Sequence, residues 1–152
     1  MSDTFSITLN ADSDGFITYE CPYCGSAFKL SAADLNDEDF PIHELFCPYC
    51  GLAGAPDRFI SAEAMGALET LVHNYAAQTL NKAFGDMAKS VNRKKGFIHM
   101  DFTPIETLPE EDVTEDDTVE SIFTCKACQR EVKVLHNIGM AKAFCPYCGV
   151  DL

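Results

Sequence analysis

Four Cys-x-x-Cys pairs punctuate this chain: Cys21 and Cys24, Cys47 and Cys50, Cys125 and Cys128, and Cys145 and Cys148. Three of the four stand in CPYCG, at 21–25, 47–51 and 145–149, and the fourth in CKACQ. A turn of this spacing points two sulfurs at one centre. A second turn on a facing hairpin supplies two more, giving a tetrahedral cage that suits Zn²⁺ at about 2.3 Å per bond. The first two pairs are 22 residues apart and the last two 16, so the spacing predicts two such cages and two zinc ions per chain. Gly25, Gly51 and Gly149 follow their pairs directly, where a tight knuckle calls for positive φ.

Other chemistries share these letters. CPYC also serves as the redox pair of glutaredoxin-like proteins, but that use needs a helix starting at the first cysteine to lower its pKa. Here the pairs run into Gly and short β-like stretches, or into the chain end. Four sulfurs also suit a rubredoxin-type iron centre, which makes iron the runner-up metal and electron transfer a lesser alternative. Eight cysteines gathered in tight pairs fit a metal protein of a reducing compartment better than a disulfide framework. With no basic and apolar leader in the first fifteen residues and no run of eighteen apolar ones, the expectation is a cytoplasmic protein with no membrane span.

CPYCGSAFKL…LFCPYCG and CKACQREVKVL…FCPYCG resemble the zinc-ribbon family, in two copies that cover under half the chain. The resemblance implies a fold and a metal. It implies little about activity, because such ribbons occur in transcription factors, polymerase subunits, ribosomal proteins and enzyme appendages. CKACQ departs from the pattern in lacking the glycine, so the second site is expected to be slightly more open.

Around the cysteines the pattern predicts an α+β chain: two small β-rich four-cysteine ribbons joined by a long α-helix and an acidic linker. FSITLN and FITYE alternate about the turn-like DSDG and read as a hairpin. AFKLS reads as a further strand, and AADLNDEDFPI as a loop with one helical turn. ESIFTCKACQREVKVL repeats the layout of GFITYECPYCGSAFKL, which points to an internal duplication with six extra residues between the pairs of the first copy. From Ser61, a plausible N-cap, apolar residues recur at steps of three and four as far as Val91, with Gly85 as a candidate break. GFIHMDF reads as a short strand, and 103–119, acidic and carrying Pro104 and Pro109, as a flexible linker. The expected domains are thus 1–60, 61–95, 96–120 and 121–152.

Charge follows the same division. Residues 1–60 hold ten acids against two bases, and 61–95 five bases against three acids. Residues 96–120 hold nine acids and no Lys or Arg, and 121–152 four bases against two acids. His43, His73, His99 and His136 have no mutual spacing for a catalytic metal, and no phosphate loop, triad order or carboxylate pair stands out. The chain therefore reads as non-enzymatic. Leu68, Val72, Tyr75, Phe84, Met87 and Val91 give the helix more apolar surface than two small ribbons can cover, which points to a protein partner and to a homodimer through the helix. The alternative is a transcription-related regulator binding nucleic acid through Lys126, Arg130, Lys133 and Lys142. The net charge of −13 opposes it, because phosphate contacts dominate such affinity.

Overall fold

The computed structural model describes residues 7–93, 96–117, 120–134 and 142–152. Expected features at Phe5, Ser6, Lys94, Lys95 and His136 lie outside them. The chain divides into two compact units, Thr8–Met65 with Asp112–Leu152, and Gly66–Glu111 together with Ile7.

In the first unit the elements run β1 (Leu9–Asn10), β2 (Phe16–Glu20), β3 (Ala27–Ser31), α1 (Ala32–Leu35), β4 (Leu45–Phe46) and β5 (Ala53–Gly54), then a 3₁₀ turn at Pro56–Phe59. After α2 (Ala62–Arg93) come β6 (Val113–Thr114), β7 (Ser121–Thr124) and β8 (Glu131–Val134). Both cysteine-bearing hairpins enter one antiparallel sheet of order β2-β3-β8-β7. Their registers correspond: Tyr19 faces Phe28 and Glu20 faces Ala27 in one, Phe123 faces Val132 and Thr124 faces Glu131 in the other. Where the hairpins meet, Leu30 faces Val132 and Lys29 faces Lys133.

Side chains alternate across a strand, so Phe28 and Leu30 leave one face of β3 and Lys29 the other. The first face builds the core: Cys21, Phe28, Leu30, Leu45, Cys47, Phe59, Val132 and Val134 form a single buried cluster. The opposite face is covered as well, by the turn at Asp12 and the chain around Glu115. Asp12 Oδ2 accepts from Lys29 Nζ at 3.1 Å and from Lys133 Nζ at 2.8 Å. Asp14 and the carbonyl of Asp116 take further ammonium protons, and Thr18 donates to Glu115 from both its N–H and its hydroxyl.

Among the described residues, the hairpin expected between FSITLN and FITYE is absent. Leu9–Asn10 pairs in parallel with Val113–Thr114, and β2 pairs with β3 instead. The DSDG turn spends its groups differently: Asp12 Oδ1 accepts the N–H of Asp14 and of Phe16, while Oδ2 faces the two lysines. Two buried ammonium groups demand that carboxylate.

α2 is one unbroken helix of 32 residues. Ser61 Oγ accepts from the N–H of Ala64, as an N-cap does. Gly85 does not break it, and a Cβ added at Gly66 or Gly85 would meet nothing within 4 Å. Among the described residues no helix is long and apolar enough to cross a membrane.

In the second unit GFIHMDF is not a strand; residues 98–111 have no regular structure. The stretch expected as a free linker instead returns along the helix, with Asn92 bonded to Met100, Asn81 to Ile105 and Asn74 to Leu108. Phe102 stacks against Phe84 with ring centroids 5.8 Å apart.

Candidate metal centres

Each Cys-x-x-Cys pair closes the same turn. The N–H four residues on returns to the first cysteine's carbonyl, from Gly25, Gly51, Gln129 and Gly149 at 2.8–2.9 Å. The first cysteine's own N–H reaches the residue beyond, at Ser26, Leu52, Arg130 and Val150. The turn requires positive φ at its last position: +70°, +73° and +75° at the three glycines, and +62° at Gln129. A side chain there is strained in this region, so the departure in CKACQ changes the residue and keeps the geometry.

These turns bring the eight cysteines into two groups, Cys21, Cys24, Cys47 and Cys50, and Cys125, Cys128, Cys145 and Cys148, with all sulfurs of a group within 4.8 Å of one another. Sulfurs from opposite turns lie 3.8 and 3.7 Å apart in the first group and 3.6 Å apart, twice, in the second. A regular tetrahedron with bonds of about 2.3 Å has edges of about 3.8 Å, so both groups match a four-sulfur metal cage. Backbone N–H groups aim at the sulfurs, from Tyr23 to Cys21 and from Tyr49 and Cys50 to Cys47. Such bonds favour thiolate.

Without a cation, like charges so close cannot all form, and the thiols split. Burial pushes Cys21, Cys47, Cys128 and Cys145 up. Hydrogen bonds from Ser26 bring Cys24 down to about 7. At Cys125 burial is outweighed by the N–H groups of Cys128 and Ala127, and its thiol also falls to about 7. A divalent cation removes this conflict by taking all four as thiolates.

The second group is not the more open one. Cys24 and Cys50 are exposed, whereas Cys128 and Cys148 are only half-exposed. The second and fourth knuckles embrace each other reciprocally. Phe46 N–H bonds the carbonyl of Pro146, and Phe144 N–H that of Pro48. The Phe46 ring lies 3.0 Å from where a Cβ on Gly149 would stand, and the Phe144 ring 3.1 Å from that of Gly51. Those two glycines are needed for close approach as well as for φ. Tyr49 donates to Ala27 O, and Tyr147 to Glu131 O while accepting from Ser31 N–H.

The other singled-out residues scatter. Of the basic set, Lys126 is exposed, Lys142 pairs with Asp151 at the surface, and Arg130 lies over the Tyr147 ring while donating to Phe40 O. Lys133 does not belong to a basic surface: it is 2 % exposed and bound to Asp12 and Asp14. Its strand position gave a clue, since Lys29 and Lys133 both stand five residues after the second cysteine of their pair. His43 lines an open cleft with Asp34, Asp37, Asp39 and Cys128 and belongs to neither four-sulfur group. On α2, Leu68 and Val91 are half-buried, and Val72, Tyr75, Phe84 and Met87 are exposed. No family model matches this chain, and no curated protein or solved structure does.

Proposed function

We propose that this chain is a zinc-stabilised, non-enzymatic adaptor that acts through protein contact and pairs with a second copy of itself along α2. Both cages use four sulfurs, which leaves no open coordination position and marks a structural site rather than a catalytic one. Soft thiolates in a tetrahedron favour zinc, with iron the competitor that elemental analysis excludes or reveals.

The observation that carries the reading is the outward face of α2. At about 100° per residue, Met65, Val72, Leu80 and Met87 lie about 120–180° around the helix from Asn74. They are 39, 44, 41 and 51 % exposed. The returning segment covers the asparagine face and leaves this one open. An amphipathic helix depends on packing its apolar side, and the same row on a second copy is a matching surface. Lys82, Lys89 and Arg93 all stand in the C-terminal half of α2, so antiparallel pairing keeps like charges apart.

Sedimentation equilibrium tests the pairing, and Val72→Lys with Met87→Lys leaves the Phe84–Phe102 contact alone. The wild type is expected as a dimer and the variant as a monomer, each with two zinc ions. A wild type that stays monomeric at high concentration removes self-pairing from the reading.

A further inference from the structure

Three asparagines on one face of α2 make the same bond. Asn74 Nδ2 donates to the carbonyl of Leu108 at 2.8 Å while its Oδ1 accepts that residue's N–H at 2.7 Å. Asn81 does this to Ile105, with both bonds at 2.8 Å, and Asn92 to Met100, with both at 3.0 Å. At about 100° per residue the three lie within an arc of about 20°. The order reverses along the two segments, so an extended chain runs antiparallel to the helix, clamped at three points.

A side-chain amide pairing with both polar groups of one residue reads main chain alone. The occupant's own side chains stay partly open, Ile105 at 40 % and Leu108 at 49 % exposed. Phe102, against Phe84, and Glu110, which accepts from Asn74, add side-chain contact. Pro104 and Pro109 hold Thr103 and Leu108 to extended backbone, so little conformational freedom is lost on docking. Charge sets the remaining preference: residues 100–110 carry Asp101, Glu106 and Glu110 and no Lys or Arg, while the C-terminal half of α2 holds Lys82, Lys89 and Arg93 against Asp86 alone.

We propose that the Asn74–Asn81–Asn92 row is a peptide-binding groove for an extended acidic segment of a partner protein, with residues 100–110 filling it as an internal stand-in. This names the partner's chemistry and rests on the adaptor reading above. A tethered occupant competes at an effective concentration on the order of millimolar, so an incoming segment sees only the fraction of molecules whose groove is open. Binding in trans then strengthens as the internal segment is loosened.

The probe is a labelled peptide of residues 99–111, titrated into the full-length zinc-loaded protein. Ile105→Pro with Leu108→Pro deletes the two N–H groups that Asn81 and Asn74 accept, and both substitutions lie outside the cages. This variant is expected to bind the peptide at least tenfold more tightly than the wild type. Adding Asn74→Ala, Asn81→Ala and Asn92→Ala should abolish the gain, and a peptide with lysine at its acidic positions should bind more weakly. Equal binding by wild type and proline variant, retention by the alanine variant, or indifference to peptide charge would each overturn the proposal. Should the proline variant lose helicity, the wild type is read by NMR at millimolar peptide. Movement of the Ile105 and Leu108 amide signals to free-chain positions supports the groove, and unmoved signals overturn it. The assay needs neither dimer nor natural partner, so its failure leaves the adaptor reading standing and is distinguishable from failure of that reading.

Discussion

The carboxylate of Asp12 is fully covered and lies between two ammonium groups that face each other across β3 and β8. Burial alone would raise its pKa, but hydrogen bonds from Lys133, the Phe16 N–H and Lys29 hold it well below the usual carboxylate range. Burial likewise pulls Lys133 down, and Asp12 and Asp14 outweigh it, so its ammonium is held above the ordinary value. The signs follow from linkage. A lowered carboxyl stabilises the fold above the ordinary aspartate range, and that contribution fades as pH falls toward the lowered value. A raised lysine stabilises it below the ordinary lysine range, and that contribution fades as pH rises toward the raised value. Between the two ranges the cluster's contribution is flat. Asp12→Asn leaves two buried cations short of a partner, and removing one member of a buried ion pair costs about 3–5 kcal/mol. The low end is expected, because Asp14 and Glu115 remain nearby. Urea unfolding of the zinc-loaded protein at neutral pH should show the loss, and an unchanged midpoint would mean that the cluster contributes nothing.

At the level of elements, α2 carries two glycines in open space. Gly85→Ala removes backbone freedom from the unfolded chain and adds a methyl that meets nothing. It should raise stability by about 0.5–1 kcal/mol, seen as a higher thermal midpoint with unchanged metal content. A lower midpoint would show that a hinge is needed there. α2 itself was legible, because Met65 to Val91 keep the helical period and Ser61 caps it. The cysteine groups were legible for a similar reason: the chemistry lies in local spacing. GFIHMDF was misread as a strand and the start of 103–119 as free, because Met100, Ile105 and Leu108 are held by Asn92, Asn81 and Asn74, polar residues on a helix whose ordinary reading is solvent. Leu9–Asn10 was misplaced because its partner, Val113–Thr114, is more than a hundred residues away, and no local pattern encodes that register.

In the first unit as a whole, Cys21 and Cys47 belong to the same buried cluster as Val132 and Val134, so the first cage shares its core with the strand that follows the third knuckle. Metal binding supplies much of a small ribbon's folding energy. Cys145→Ser is therefore expected to lower metal affinity at the first cage as well as the second. Competition with a chromophoric chelator should show both metal ions released together, whereas one ion lost and one held at wild-type affinity would mean two independent modules. The reciprocal contacts, Phe46 with Pro146 and Gly149, and Phe144 with Pro48 and Gly51, have a further consequence. A contact made twice with roles exchanged is how two like subunits meet about a two-fold axis. Here both subunits are one polypeptide, so dilution cannot pull them apart. Pairing along α2 between separate chains has no such protection. If separate chains pair along α2 as proposed, stepwise dilution halves the particle mass without touching the metal; a mass that is already that of one chain at every concentration removes the pairing.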